Sequence, residues 1–327
     1  MVLCLPRSDQ MAALDEDELA QLASAGALFT ASAGDVLFRQ GMAADALYIV
    51  TQGRMEITTR IPGDDAPVVG TISPGEMVGE FALLDDGPRS ASVIAVERSE
   101  GIRIGRSHIL AARAEGQPWA RAVMDALRLL VARRIRATID GIVTASDHDR
   151  FNLRTPGSGT PIRQLGDDEW VAYLSKLQLP RELAGWTPEL AGHGTWLAAG
   201  RGSLITDADN GPGPLLLVVR GALRAAIRRA DGLEQVAVHG PGELVGLVAL
   251  LDGQNQPLMI EAAEEAVLFA VDQCGFESLR ASHSAFGYAL FDAIGRQLVR
   301  DQRRINRHLG SAIARKLFNA AGASGHV

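Results

Sequence analysis

The stretch Pro74-Gly75-Glu76-Met77-Val78-Gly79-Glu80-Phe81-Ala82-Leu83-Leu84-Asp85-Asp86-Gly87-Pro88-Arg89-Ser90-Ala91 carries the reading of the whole chain. It sets a glycine-led apolar turn, a lone acid and a lone arginine within one short segment. A helical turn opening at Gly79 aims free backbone N–H groups, and a positive dipole end, at an anion. Arg89 adds a rigid fork of donors able to grip two phosphate oxygens at once. Glu80, acceptor-only when ionised, suits a sugar hydroxyl. Together these residues fit a small ligand with one phosphate and one ribose hydroxyl. The plainer alternative is a structural ion pair between Glu80 and Arg89 with no ligand.

Working outward, Gly34-Asp35-Val36-Leu37-Phe38-Arg39-Gln40-Gly41 and Tyr48-Ile49-Val50-Thr51-Gln52-Gly53-Arg54-Met55-Glu56-Ile57 are short strand-like runs punctuated by glycine. Turns such as Ile61-Pro62-Gly63-Asp64-Asp65 separate them. Short strands between glycine and proline turns favour an antiparallel double sheet over an α/β sheet. In this order the three segments resemble the cyclic nucleotide-binding domain family, which includes the catabolite activator protein and the regulatory subunits of cAMP-dependent protein kinase. The likeness covers roughly residues 28 to 105. It implies a mainly β fold with helices, a double-stranded β-helix or jelly roll followed by a long helix. It also implies cAMP, with cGMP as second choice, held by Val78, Gly79, Glu80, Phe81, Ala82, Arg89, Ser90 and Ala91. No cofactor and no metal are expected.

The second half replays the first. Pro241-Gly242-Glu243-Leu244-Val245-Gly246-Leu247-Val248-Ala249-Leu250-Leu251-Asp252-Gly253 lies over the first cassette at the offset that carries Pro74 onto Pro241. Leu215–Arg220 followed by Gly221-Ala222-Leu223 repeats the strand–glycine–strand step around Gly53. At the same offset Glu80 becomes Leu247, Arg89 becomes Gln256 and Ser90 becomes Pro257. A buried phosphate charge would there lack its countercharge, and the ribose hydroxyl its acceptor. The second module is therefore expected to be a degenerate copy that binds no cyclic nucleotide, a less charged ligand being the alternative. Thr206–Pro214 enlarges one of its hairpins and reads as a surface loop.

Two domains joined by a linker follow: 8–143, a module with an intact cassette and a long helix; 144–165, the linker; and 166–320, the degenerate module with its own long helix. Asp15–Leu28 and Asp167–Leu179 read as short helices leading into the barrels. Met124, Leu127, Val131, Ile135, Ile139 and Ile142 form an apolar stripe on a helix over 118–143. Phe291, Ile294, Leu298, Ile305 and Leu309 do the same over 284–309. Such stripes need a partner, either each other, as a pseudo-dimer within the chain, or a second chain in a homodimer. By the resemblance, Arg133, Arg134 and Thr138 are candidates for capping the base; solvent-facing side chains are the alternative.

Other classes find little support. Of 327 residues 47% are hydrophobic, enough for full cores without disulfides, and the net charge of −7 gives no global pull on nucleic acid. Only Cys4 and Cys274 are present, which speaks for a reducing compartment. No signal peptide or spanning run is legible, so a cytoplasmic protein is expected. The seven histidines form no metal-binding pattern, and no phosphate-loop or nucleophile-elbow motif occurs. After the second long helix only Gly310–Ala320 reads as helical, too little for a three-helix DNA reader. The expected role is a non-catalytic cyclic nucleotide sensor relaying through the helix after its first module to a protein effector or dimer interface. The alternatives are a ligand-independent scaffold, or a transcription regulator that lacks its own DNA-reading domain.

Overall fold

In a computed structural model of the chain, residues 5–59, 68–145, 161–174, 178–208, 211–229 and 232–323 are described. The chain divides into two compact units, Met1–Leu130 and Val131–Val327. Most of the expected linker, residues 146–160, lies outside the described residues, as does the turn at 61–65.

The first unit opens with α1 (Glu16–Ser24), started by a capping box. Asp15 accepts from the Glu18 N–H at 2.8 Å, and Glu18 accepts from the Asp15 N–H at 3.0 Å. The helix stops short of Leu28, where a longer helix was expected. Leu28 instead pairs with Ile102 in a strand, and Gly26 lets that strand lie close to Ile102 and Ile104. The strands are β1 (Ala27–Ala31), β2 (Val36–Phe38), β3 (Ala46–Gln52), β4 (Met55–Thr58), β5 (Val68–Ile72) and β6 (Met77–Val78). After the short helix α2 (Phe81–Leu84) come β7 (Ser92–Ala95), β8 (Ser99–Gly105) and α3 (Arg106–Ala114). They form two antiparallel sheets in the orders β1-β8-β3-β6 and β2-β7-β4-β5. Tyr48, Val50, Met55, Ile72, Val78 and Val93 from both sheets fill the space between them. This is a jelly roll. Helix α4 (Pro118–Ala145) starts in this unit and ends in the second, since the division falls between Leu130 and Val131.

The second unit repeats the plan. Its elements are β9 (Arg163–Gln164), α5 (Asp167–Leu174), α6 (Thr187–Ala191), β10 (Thr195–Ala199), β11 (Leu204–Thr206), β12 (Leu215–Arg220), β13 (Leu223–Arg229), β14 (Gly232–His239) and β15 (Leu244–Val245). They continue with α7 (Leu247–Asp252), β16 (Met259–Ala262), β17 (Ala266–Val271), α8 (Gln273–Ser282) and α9 (Ala285–Ala323). The sheets run β15-β12-β17-β10-β9 and β11-β16-β13-β14, the first unit's orders with one added edge strand. Gly53 and Gly221 hold the same step at φ +81° and +78°, and a Cβ there would strike the carbonyls of Arg98 and Glu265. Only glycine fits both demands. The expected helix over 284–309 runs on through Gly310 as one 39-residue helix. A glycine inside a helix costs only about 1 kcal/mol against alanine, and Ala312, Ala314, Arg315, Lys316 and Leu317 beyond it are good helix formers.

Candidate functional site

The first cassette is built around Gly79 and Arg89. Strand β6 delivers Gly79 at φ +91°, and a Cβ there would strike the Arg89 guanidinium and lie 2.9 Å from the Ala46 carbonyl. Glycine is what lets the guanidinium reach this backbone. Arg89 is 4% exposed. Its Nη2 donates to the Ala46 carbonyl at 2.8 Å and to Asp45 Oδ1 at 3.2 Å, and Nη1 donates to the Gly79 carbonyl at 3.3 Å. The guanidinium lies over the Phe38 ring, 4.1 Å from its centroid, with Tyr48 beyond at 5.7 Å. Its Nε is buried with no hydrogen-bond partner among the described residues, a donor whose burial is unfavourable until something accepts from it. The backbone fixes the residue as well: the Arg89 N–H donates to the Met42 carbonyl at 2.8 Å, and its own carbonyl accepts from Gly41 at 2.9 Å.

The other expected residues surround this pair. Val78, Glu80, Phe81 and Ala82 are buried, Ser90 is exposed and Ala91 half-buried. Glu80 stands just before α2, and its carbonyl accepts from Leu83 at 3.0 Å. The N–H groups of Ser90 and Ala91 make no backbone hydrogen bond among the described residues. Burial lowers the Arg89 pKa, opposed by the charges of Tyr48, Asp45 and Glu80. Burial also pushes Asp45 up, but Arg103, at 2.6 Å, and Arg89 outweigh it and hold the carboxyl below its ordinary range. Asp45, Phe38 and Tyr48 escaped the sequence reading as site residues. Phe38 and Tyr48 sit inside recognised strands, but Asp45 precedes one with no local motif, and only the fold brings it to Arg89.

In the second cassette Gly246 keeps φ +90°, with an added Cβ 2.5 Å from the Pro214 carbonyl and 3.8 Å from Gln256 Nε2. Gln256 thus stands beside Gly246 as Arg89 stands beside Gly79. It is 5% exposed, and its Nε2 has no hydrogen-bond partner among the described residues. Leu247, at the place of Glu80, is buried. The expanded loop ending at Pro214 is more than surface, since Gly213 and Pro214 pack against this site. A cavity of about 50 Å³ remains, lined by Ile135, Ile139, Leu247, Gln256, Asp301 and Ile305 among others. Small-molecule sites run to about 300–1,000 Å³, so this space suits ordered water rather than a nucleotide. Arg133, Arg134 and Thr138, the expected base-capping residues, fall in the second unit. The Thr138 hydroxyl donates to the Arg134 carbonyl at 2.8 Å and accepts from Gln302 at 3.2 Å.

Comparison with known proteins bears directly on this arrangement. The family model of the cyclic nucleotide-binding domain matches residues 28–115 and again 198–283, together more than half of the chain. The chain belongs to the cyclic nucleotide-binding domain family. Each match contains one of the two cassettes, so the internal repeat is a repeat of this domain. A lysophospholipase of Aspergillus fumigatus is 30% identical over 138 residues, 41% of this chain and 9% of that protein. A cyclic AMP receptor protein of Thermus thermophilus is 36% identical over 103 residues, 32% of this chain and 46% of its own length. A cAMP-dependent protein kinase regulatory subunit of Dictyostelium discoideum is 33% identical over 96 residues, 28% of this chain and 29% of its own. The chain thus spans less than half the length of each of these relatives. Among the described residues no helix is long and apolar enough to cross a membrane.

Proposed function

We propose that the chain is a regulatory protein whose first module binds one cyclic mononucleotide, cAMP by preference and cGMP as second choice. The observation that carries this reading is the buried guanidinium of Arg89, packed against Gly79, with an Nε that has no partner among the described residues. A phosphate placed there meets a countercharge, an unmet donor and the N–H groups of Ser90 and Ala91. Glu80 supplies the acceptor for the ribose hydroxyl. The relatives named a cyclic AMP receptor protein and a cAMP-dependent kinase regulatory subunit support the choice of cAMP. In the second module Gln256 and Leu247 replace the charged pair, and the remaining cavity is too small, so we assign it no nucleotide. The protein acts without catalysis, in a reducing cytoplasmic setting, on a protein effector.

Isothermal titration of the whole chain with cAMP and with cGMP tests the reading. One site per chain is expected, with a matching rise in melting temperature, because a ligand bound only to the native state stabilises it. Two sites per chain would overturn the silence of the second module. No heat with either nucleotide would favour a ligand-independent scaffold.

A further inference from the structure

Helix α4 is one continuous 28-residue helix whose residues from Val131 onward belong to the second unit. There it meets the degenerate cassette closely. Arg136 Nε donates to Asp252 Oδ2 at 2.6 Å, and Nη2 donates to Asp252 Oδ1 and to the Asn255 carbonyl, both at 2.9 Å. This is the bidentate geometry in which an arginine–carboxylate pair is strongest. The Asp252 carboxylate is fully buried and Arg136 nearly so, at 17% exposure. Asp252 ends α7, and Asn255 precedes Gln256, so one arginine ties together both sides of the cassette. On the same helix, Ile135 and Ile139 line the cavity beside Leu247 and Gln256. The first cassette is held differently. Its α2 is fixed from α3 by Arg106, which donates to the Ala82 carbonyl and to Asp86, each at 2.6 Å. At the repeat offset Arg106 becomes Gln273. The second cassette has therefore lost its own arginines at both places and takes one from α4.

We propose that the degenerate second cassette is a socket for α4, and that the Arg136–Asp252 contact lets the second module read the ligand state of the first. The relay rests on the reading that the first module binds a cyclic mononucleotide. A nucleotide changes the second module only as far as it favours one position of α4 over another. Helix α4 buries Val123 and Leu127 in the first unit and Ile135 and Ile139 in the second, so one element is packed in both, which coupling through it requires.

Hydrogen exchange of the intact chain tests both parts, read at residues 79–91 and 247–258 with and without saturating cAMP. The variants are Arg136→Ala, the gentler Asp252→Asn and the double variant, each first shown by thermal melting to fold. Without ligand, either single change should speed exchange across 247–252 at least tenfold, and the double variant no further. With cAMP the parent should alter its protection at 247–258. The variants should keep the protection at 79–91 and lose the distant response. Exchange at the parental rate in both ligand-free single variants overturns the socket. Protection at 79–91 with no change at 247–258 in the parent overturns the relay and leaves the ligand reading standing. No protection at 79–91 overturns the ligand reading and the relay with it, while the socket is judged by the ligand-free comparison.

Discussion

At the scale of single residues, the site depends on a guanidinium that is positioned before any ligand arrives. Asp45, two backbone carbonyls and the Phe38 ring hold Arg89 in place, so little side-chain entropy is left to lose on binding. Arg89→Ala should weaken cAMP binding by about 2–4 kcal/mol in calorimetry, because a desolvated phosphate loses its countercharge. Glu80→Gln should weaken it less, and Gln256→Ala not at all. Parental affinity in folded Arg89→Ala would place the ligand elsewhere. Two glycines separate strain from contact. Gly34 has φ +89° with nothing within 4 Å of an added Cβ, so Gly34→Ala carries only the left-handed penalty, about 1–2 kcal/mol. Gly79→Ala adds a collision with Arg89 and Ala46. Its melting temperature should fall further than that of Gly34→Ala, and equal losses would contradict the packing described.

At the scale of elements, α9 is fastened to the β14–β15 corner by charge. Glu243 accepts from Arg304 at 2.9 and 2.5 Å and from Arg300 at 3.1 Å, with His239 Nδ1 at 3.4 Å. His308 of α9 meets Glu234 of β14 at 2.9 Å. Burial raises the Glu243 pKa, but His239 and Arg304 outweigh it and hold it well below its ordinary 4.5. A carboxyl lowered in the folded state contributes stability above its unfolded pKa and loses it as pH falls through the folded value. Burial pushes Asp301 the other way, so its contribution weakens as pH rises above its ordinary range. Glu243→Gln should cost about 3 kcal/mol at neutral pH. It should also flatten the loss of stability below about pH 4.5, as measured by urea unfolding between pH 3.5 and 7. An acid limb as steep as the parent's would show that Glu243 does not govern it.

At the scale of the whole molecule, the apolar stripes of the two long helices find partners inside the chain. Ile135 and Ile139 of α4, and Leu298 and Ile305 of α9, are all buried in the second unit, where Gln302 donates to Thr138 at 3.2 Å. A dimer built on these side chains would have to expose them first. Light scattering should therefore return the mass of one chain. Leu298→Asp and Ile305→Asp should lower stability by several kcal/mol, since each buries an unpaired charge, and leave that mass unchanged. A dimer that these changes dissolve would move the pairing between chains.

The ordered glycines, the Glu80–Arg89 spacing and the replay after Pro241 were enough to give the jelly roll, its duplication and the loss of charge in the second cassette. Backbone conformation is set locally, so a glycine at φ +91° or +90° leaves its mark in a short motif. What the sequence did not disclose is which groups meet across the fold. Asp45 beside Arg89, Arg136 on Asp252 and Glu243 on Arg304 join residues 44, 116 and 61 positions apart. No pattern within either partner's own segment encodes such pairs. They form because the two sheets and their long helices bring distant charges into a buried place, where an unpaired charge would be strongly unfavourable. For the same reason, tertiary structure alone decided that α4 ends inside the second unit and that its arginine stands in the cassette there.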